Sequence, residues 1–331
     1  MSTRSIFSPV ACGSAWADGP RTSSVKLGTP SMDSWFLLKA EDATVSEFPR
    51  LTLMENLVPN QMAVEMNGRP GGPVFLVHPI EGHVGALSEL ARQLPVRAVG
   101  LQRTSDVPAG SIEELAATYL QRLVEVQPQG PYHIVGYSFG ATVAFEMAVQ
   151  LQRAGAPVGS LVLLDGAPQY IGAHTMHHRS RFTNANEEEA FFLCAFLIQY
   201  LDIDFLQVRR QMVQYPTWEA KQEAATDLLL AGIPDVRPSR EDVALATSAF
   251  YDFLKAGSAY APTAKFRGDV TLVKPSRPRK MAMQLPPDYC LSECCEGKVH
   301  IHVVEGLHEN FILGKGALEC ATLVAQKVGT V

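Results

Sequence analysis

The sequence predicts an α/β fold in which helices cover both faces of a mostly parallel β-sheet. From Val74 onward, short runs of β-branched residues alternate with helix-length amphipathic segments, a pattern typical of parallel strands joined by helices. Runs such as VFLVH at 74–78 are almost continuously apolar, as expected for strands that are covered on both faces. The alternation stops after Asp165, and about a hundred mostly helical residues precede the next strand. A helical segment is therefore expected to be inserted there.

The same alternation predicts six strands and four helices along the chain. The strands are β-branched or continuously apolar runs, expected at residues 74–78, 96–101, 132–136, 160–165, 270–273 and 299–304. The helices are amphipathic segments, expected at about residues 84–93, 111–126, 140–154 and 315–328. The inserted segment, at about residues 171–262, carries aromatic stripes at helical spacing, formed by Phe192, Phe196 and Tyr200 and by Phe250, Phe253 and Leu254. This segment is predicted to be a helical lid.

Two regions of the chain differ in composition. Residues 1–48 are rich in Ser, Thr, Gly and Pro and lack a sustained periodicity, which predicts a disordered or linker-like tail. Residues 49–331 are predicted to form the α/β domain. The whole chain is 47% hydrophobic and 19% charged, a composition that can build a large core.

Charge, hydropathy and cysteine content exclude several classes of protein. The formal net charge of −6 argues against nucleic-acid binding, which depends on clustered Lys and Arg. The longest strongly apolar stretch, Ala190 to Leu201, is shorter than the roughly 20 residues of a membrane helix. The six cysteines form neither a paired CxxC set nor a dense disulfide framework. These features predict a soluble, cytoplasmic protein with reduced thiols, and they leave its oligomeric state open.

The strongest chemical motif is GYSFG at residues 136–140, which follows a predicted strand and precedes a predicted helix. A G-x-S-x-G sequence in this context forms a sharp strand-to-helix turn that exposes the serine at the carboxyl edge of a sheet. The helix N-terminus beside the serine favours a developing oxyanion. Ser138 is therefore the predicted nucleophile.

A serine nucleophile needs a base, and the position of each of the nine histidines decides which can serve. Six lie inside strands or at the start of the inserted segment, namely His133, His300, His302, His174, His177 and His178. His78 and His83 are near the correct edge, but they precede the serine in the chain. His308 follows the last predicted strand, where it can reach over the sheet edge to Ser138. His308 is therefore the predicted base.

A carboxylate is expected to orient the base, and Asp165 is the predicted residue because it ends the strand after the nucleophile helix. Asp269 and Asp288 are the alternatives, although Asp269 starts a strand and so lies at the opposite edge of the sheet. The chain order serine, aspartate, histidine is that of the α/β-hydrolases. The oxyanion is predicted to bind the backbone N–H groups of Ile80, in the loop after the first core strand, and Phe139.

Four segments together resemble the thioesterase domain of the animal type I fatty acid synthase. They are VFLVHPIEG, PYHIVGYSFGATVAFEMA, LVLLDGAP and VVEGLHENF, and the resemblance spans about residues 51–328. It implies hydrolysis of a long-chain acyl thioester carried on the phosphopantetheine of an acyl carrier protein. It supports the predicted triad, and it suggests substrate-groove positions at Glu81, Tyr137, Tyr170, Phe196, Tyr200, Phe250 and Phe253. One departure is Glu309, which stands where a basic residue often follows the histidine.

The predicted function is therefore release of a long-chain fatty acid from acyl carrier protein or CoA through an acyl-enzyme on Ser138. An editing thioesterase, an oxyester lipase or esterase, and a non-catalytic acyl- or carrier-binding module remain as alternatives. No bound cofactor is predicted beyond the phosphopantetheine that carries the substrate. No metal site is predicted, because His300 and His302 lack a third ligand at a suitable spacing.

Overall fold

The computed structural model describes residues 57–179, 182–233, 238–279 and 282–329. The predicted tail at residues 1–48 lies outside this part of the chain, so its order stays a prediction, as do the domain boundaries. Within these residues, no helix combines the length and the hydropathy that a membrane-spanning segment needs.

Among the described residues, the centre of the fold is a seven-stranded sheet with the order β1-β3-β2-β4-β5-β6-β7. Its strands are β1 (Ala63–Glu65), β2 (Val74–Val77), β3 (Ala98–Leu101), β4 (Tyr132–Tyr137), β5 (Val158–Leu164), β6 (Val270–Arg277) and β7 (Val299–Leu307). All neighbouring strands are parallel except β1, which pairs antiparallel with β3. The prediction of a mostly parallel sheet is confirmed. β1 was not predicted, because a three-residue edge strand has too few residues to show a period.

The helices that the structure describes lie between the strands and after the last strand. They are α1 (Ser88–Gln93), α2 (Ile112–Val126), α3 (Phe139–Arg153), α4 (Tyr170–Arg179), α5 (Ala185–Leu197), α6 (Phe205–Met212), α7 (Trp218–Gly232), α8 (Arg240–Ala259), α9 (Leu291–Cys294) and α10 (Gly314–Val328). Short 3₁₀ helices span Gly85–Leu87 and Ala282–Gln284. The predicted helix at 84–93 is thus divided into a 3₁₀ turn and α1.

Both faces of the sheet are covered, which explains the continuous hydrophobicity of its strands. Alternate residues of β2 show the two faces, since side chains along a strand point to opposite sides. Phe75 and Val77 belong to a buried cluster with α2 and α3, whereas Val74 and Leu76 belong to a cluster with α1 and α10. The predicted layering of helices on both faces is confirmed.

In the described part of the chain, the segment between β5 and β6 contains the helices α4 to α8, and α5 to α8 share an apolar cluster. Four of these helices begin at a side-chain cap that accepts a backbone N–H three residues later, and the capping residues are Asn184, Asp204, Thr217 and Ser239. Phe196 on α5 and Phe250 on α8 lie in the cluster, with ring centroids 5.7 Å apart. Phe196 and Phe250, one from each predicted stripe, therefore pack α5 against α8.

A buried carboxyl group joins this segment to the helix that follows the nucleophile. Glu146 lies on α3 and is 1% exposed, and its Oε2 accepts a hydrogen bond of 2.5 Å from the hydroxyl of Tyr260, directly after α8. Its Oε1 accepts one of 2.9 Å from Gln150. Burial raises the pKa of Glu146, although the hydrogen bonds from Tyr260 and Gln150 oppose this effect.

Glu146→Gln is expected to stabilise the protein increasingly as pH rises. A carboxyl pKa that is raised in the folded state contributes most stability below the unfolded value, about 4.3, and this contribution is lost as pH rises through the folded pKa. Gln has no charge to bury, so the melting temperature of the variant should gain on that of the wild type between pH 4 and pH 8. The exposed Glu219→Gln is the matched control. A difference that does not change with pH would contradict the prediction.

Candidate active site

Ser138 lies in the turn between β4 and α3, and its backbone is strained. Its φ of 56° and ψ of −119° are uncommon for a residue with a side chain. The turn is fixed by a hydrogen bond of 2.9 Å from Ser138 N–H to the carbonyl of Leu164, at the end of β5. Ser138 is 8% exposed. The sequence motif thus forms the strand-to-helix turn on which its interpretation depended.

Two glycines of the motif are required by close backbone contacts. A Cβ on Gly136 would lie 2.3 Å from the carbonyl oxygen of Gly140, so the strand and the helix could not approach as they do. A Cβ on Gly140 would lie 2.4 Å from the carbonyl oxygen of His78. The second contact presses the start of α3 against the loop after β2.

The structure brings the three predicted catalytic side chains together in one hydrogen-bonded line. The distance between His308 Nε2 and Ser138 Oγ is 3.1 Å, and that between His308 Nδ1 and Asp165 Oδ2 is 2.5 Å. A carboxylate only accepts, so Nδ1 carries the proton and Nε2 is left to accept from the serine hydroxyl. Asp165 and His308 are both buried. The arrangement can move the serine proton to the imidazole.

Strand register explains why residues so distant in sequence meet. Tyr137 of β4 pairs with Leu164 of β5, and Leu164 pairs with Val273 of β6, so these strands reach the same edge of the sheet. Ser138 and Asp165 therefore leave the sheet side by side. β6 and β7 extend beyond their predicted ends at residues 273 and 304, and their pairing continues to Arg277 and Leu307. This extension places His308 over the edge.

Asp165 is held by two further hydrogen bonds. Its φ is 43°, and its N–H donates to the carbonyl of Val273 over 2.8 Å. Its Oδ1 accepts a hydrogen bond of 2.7 Å from the hydroxyl of Tyr289. The two alternative aspartates bind elsewhere, since Asp269 accepts from Lys298 N–H and Asp288 accepts from the N–H groups of residues 290 and 292.

Two predicted groove residues, Tyr137 and Tyr170, lie against the imidazole. The Tyr137 hydroxyl donates to the carbonyl of His308 over 2.7 Å, and the two rings are stacked with centroids 5.2 Å apart. The Tyr170 ring is nearly parallel to the imidazole at 6.4 Å. Burial raises the pKa of both phenols well above the ordinary value, so both stay neutral. They fix the position of His308.

The other histidines with described side chains do not reach Ser138. His78 and His83 are fully buried, and burial lowers their pKa to about 3 and about 4. His78 binds Tyr119 through Nε2 at 2.6 Å. His133 binds Ser160, and His300 binds Asp269. The side chains of His174, His177 and His178 lie outside the described part of the chain.

Ile80 and Phe139, the predicted oxyanion donors, lie at the carboxyl ends of adjacent strands. Val77 of β2 pairs with Gly136 of β4, so the loop that contains Ile80 starts beside the nucleophile turn. Phe139 is the first residue of α3, where N–H groups have no partner within the helix. Their use by an oxyanion stays a prediction.

The remaining predicted groove residues are distributed over two aromatic contacts and one loop. Phe196 contacts both Tyr200 and Phe250 within the apolar cluster of the inserted segment. Phe253 instead stacks on Phe139, with ring centroids 4.7 Å apart. Glu81 follows Ile80 and lines a small pocket with Arg103 and with Ala246 and Ala249 of α8. All four aromatic side chains are buried.

Glu309, the departure noted in the sequence, forms an ion pair with Arg279 at 2.5 Å beside the base. Burial would raise the pKa of Glu309, but Arg279 and His308 outweigh it, and the pKa falls to about 2. Sequence reasoning missed this pair and the Tyr289 contact. Arg279 and Tyr289 lie in loops, where the sequence has no periodicity. The one signal in the sequence was that Glu309 directly follows His308.

Comparison with known proteins assigns this chain to a family. The Thioesterase domain profile matches residues 72–321, which are 250 of the 331 residues. Microperfuranone synthase of Emericella nidulans is 28% identical over 264 residues, which are 73% of this chain and 26% of that protein. The dimodular nonribosomal peptide synthase of Bacillus subtilis is 35% identical over 106 residues, which are 30% of this chain and 4% of that protein. The chain thus spans about a quarter or less of the length of these relatives.

A solved structure supports the fold. The NocB thioesterase domain, in covalent complex with a fluorophosphonate nocardicin G analog, aligns with a TM-score of 0.53 and 24% identity over 81% of this chain and 99% of that one. The predicted α/β-hydrolase-like fold is confirmed. The relatives named here belong to synthases other than the fatty acid synthase, so the narrower resemblance stays a prediction. The profile match over three quarters of the residues shows that this chain belongs to the thioesterase domain family.

Proposed function

We propose that this chain is a serine thioesterase that releases an acyl or peptidyl group from a carrier-borne thioester. The observation that carries the proposal is the hydrogen-bonded line of Ser138, His308 and Asp165 in a chain of the thioesterase family. The relatives support a carrier-borne substrate, because they are synthases of nonribosomal peptides and of microperfuranone.

In the first half of the reaction, His308 Nε2 takes the proton of Ser138 as Oγ attacks the thioester carbonyl. The negative oxygen receives hydrogen bonds from the N–H groups of Ile80 and Phe139, each worth roughly 3 to 4 kcal/mol in the transition state. The C–S bond then breaks, and the imidazolium protonates the leaving thiolate. The products of this half are the free carrier thiol and an acyl ester on Ser138.

In the second half, neutral His308 removes a proton from water as the water oxygen attacks the acyl ester. The imidazolium returns this proton to Ser138 Oγ, and the carboxylic acid leaves. Asp165 holds the proton-bearing Nδ1 in both halves and stabilises each imidazolium. Each half requires neutral His308, because a protonated imidazole cannot act as the base.

The experiment that tests this function compares matched thioesters and oxyesters. Acyl-CoA and acyl-loaded carrier protein are offered beside oxyesters of the same acyl groups, with Ser138→Ala as the control. Faster hydrolysis of the thioesters and an acyl adduct on Ser138 seen by intact mass are expected. Faster cleavage of the oxyesters would indicate a lipase or esterase. A preference for short misprimed acyl groups would indicate an editing enzyme. Binding without turnover would indicate a non-catalytic module.

The finer proposal is that the acyl group is a long fatty chain, which the resemblance in sequence implies. The apolar side chains around Phe196 and Phe250 support it, because Ile80 of the proposed oxyanion loop packs against the same cluster. An acyl chain leaving Ser138 past Ile80 would meet these aromatic side chains. Acyl-CoA is a second proposed substrate, because CoA presents the acyl group on the same phosphopantetheine thiol.

If this finer proposal holds, kcat/KM should rise from octanoyl to palmitoyl thioesters. Each buried methylene contributes about 0.8 kcal/mol, so eight methylenes give at most about 10⁴-fold. Phe196→Ala or Phe250→Ala should lower the palmitoyl rate much more than the octanoyl rate. Equal losses on both substrates in a stably folded variant, or a profile that is flat in chain length, would show that the cluster does not select the acyl chain.

A further inference from the structure

Tyr289 contacts the oxygen of Asp165 that does not face the base. It lies in the loop between β6 and β7, and its side chain is fully buried. Its hydroxyl donates to Asp165 Oδ1 over 2.7 Å, while Oδ2 of the same carboxylate binds His308. The carboxylate is therefore held from both sides, and a rotation that weakened one contact would weaken the other.

The backbone at Tyr289 has a positive φ, as it does at Ser138 and Asp165. Among the residues that the structure describes, four that are not glycine have a positive φ: Ser138, Asp165, Tyr289 and Cys290. Such conformations cost about 1 to 3 kcal/mol each and persist where surrounding structure imposes them, often at functional sites. Tyr289 shares this strain with the nucleophile and the acid.

Packing fixes the Tyr289 ring in place. The Lys274 ammonium lies 4.2 Å from the ring centroid and donates to the carbonyl of Pro287 over 2.8 Å, which ties this loop to β6. The Tyr170 ring also contacts the Tyr289 ring, with centroids 5.1 Å apart. Burial, together with the negative charge of Asp165, raises the pKa of the Tyr289 phenol, so the hydroxyl remains a donor.

We propose that Tyr289 is a positioning residue of the active site, which fixes the rotation of the Asp165 carboxylate and takes up part of its charge. The proposal rests on the function proposed above. With Tyr289 in place, Oδ2 meets His308 Nδ1 in line, and the imidazole is turned toward Ser138. Without it, Oδ1 becomes a buried acceptor with no donor from this loop.

Removing the hydroxyl has two separable consequences. The carboxylate can rotate, so the imidazole is less well oriented and kcat falls, whereas substrate contacts and KM are unchanged. The charge of the carboxylate is also less shared, so the coupled Asp165–His308 pair holds its proton more strongly. The acid limb of the kcat/KM profile should therefore move to higher pH.

Other groups that face this pair must be unchanged for the pH shift to be assigned to Tyr289. The charged ones are Lys274 near Asp165 and the Arg279–Glu309 ion pair near His308. The neutral ones are the phenols of Tyr137 and Tyr170. Tyr289→Phe alters none of their charges, because only one neutral hydroxyl is lost.

The experiment compares Tyr289→Phe with Tyr132→Phe, which removes a hydroxyl from another buried tyrosine at the opposite end of β4. For Tyr289→Phe we expect kcat about tenfold lower, as for loss of one hydrogen bond to a charged group, with KM unchanged and the acid limb moved upward. Tyr132→Phe should change none of these quantities. In an Asp165→Asn background, Tyr289→Phe should cause no further loss of kcat.

A second measurement needs no turnover. In the resting protein, the His308 Nδ1 proton should resonate further downfield in Tyr289→Phe than in the wild type, since its acceptor carries more charge. The inference would be overturned if Tyr289→Phe moved neither the acid limb nor the resonance. It would also be overturned if Tyr289→Phe lowered kcat as much in the Asp165→Asn background as in the wild type. Ser138→Ala, assayed in the same series, separates the two proposals. If Ser138→Ala keeps its activity, the proposed function fails, whereas an active wild type with an unaffected Tyr289→Phe contradicts only the role of Tyr289.

Discussion

Replacing Ser138 by alanine is expected to lower kcat for thioester hydrolysis by about 10⁴ to 10⁶, because no acyl-enzyme can form. His308→Ala should cause a similar loss, since the serine proton passes to His308 Nε2, which lies 3.1 Å from Ser138 Oγ. The double variant should be scarcely slower than either single one, as the two residues act as a unit. Release of free thiol in single-turnover assays measures all three losses.

The chain provides a matched control for this pair. Ser160 and His133 form a second serine–histidine contact, 2.9 Å from Oγ to Nδ1, between β5 and β4. Ser160→Ala and His133→Ala should leave kcat within a few fold of the wild type. Losses that add in the Ser138→Ala/His308→Ala variant, or a comparable loss in the control pair, would contradict the assignment of nucleophile and base.

Asp165→Asn is expected to lower kcat by about 10⁴, with little change in fold. The amide can donate to His308 Nδ1, which favours the imidazole tautomer whose Nε2 carries the proton and cannot accept the serine proton. Steady-state kinetics with a thermal melt of the same sample measures both effects. Asp288→Asn is the matched control, because this carboxylate caps the backbone at residues 290 and 292. An inactive Asp288→Asn beside an active Asp165→Asn would require a different acid.

The parallel strands could be predicted because their burial on both faces is visible in local sequence. Val74 and Phe75 face different clusters, yet both are apolar, so the run is recognisable without its neighbours. The extension of β6 through Pro275 to Arg277 could not be predicted, since these residues are not apolar in sequence. Their strand conformation depends on pairing with β7, which is a tertiary effect.

Some residues of the site could likewise be predicted from local sequence, and others could not. Ser138 is marked by a local motif, and His308 and Asp165 by their places at strand ends, so chain order sufficed to select them. Tyr289 has no such mark, because its contact with Asp165 spans 124 residues and depends on how one irregular loop folds over the sheet edge. The aromatic stripes of α5 and α8 predicted helices, but their spacing is the same for core packing and for a substrate groove.

The base is attached to the edge of the sheet, and this determines how activity should be lost on heating. His308 follows β7, which is at the end of the strand order among the described residues, whereas Ser138 and Asp165 follow strands in the interior of the sheet. Edge elements open at a lower free energy than the whole domain, in local excursions that leave the core intact. An opening of β7 would withdraw the base while six strands remain paired. Inactivation would then precede global melting, and cooling would restore the enzyme without refolding of its core.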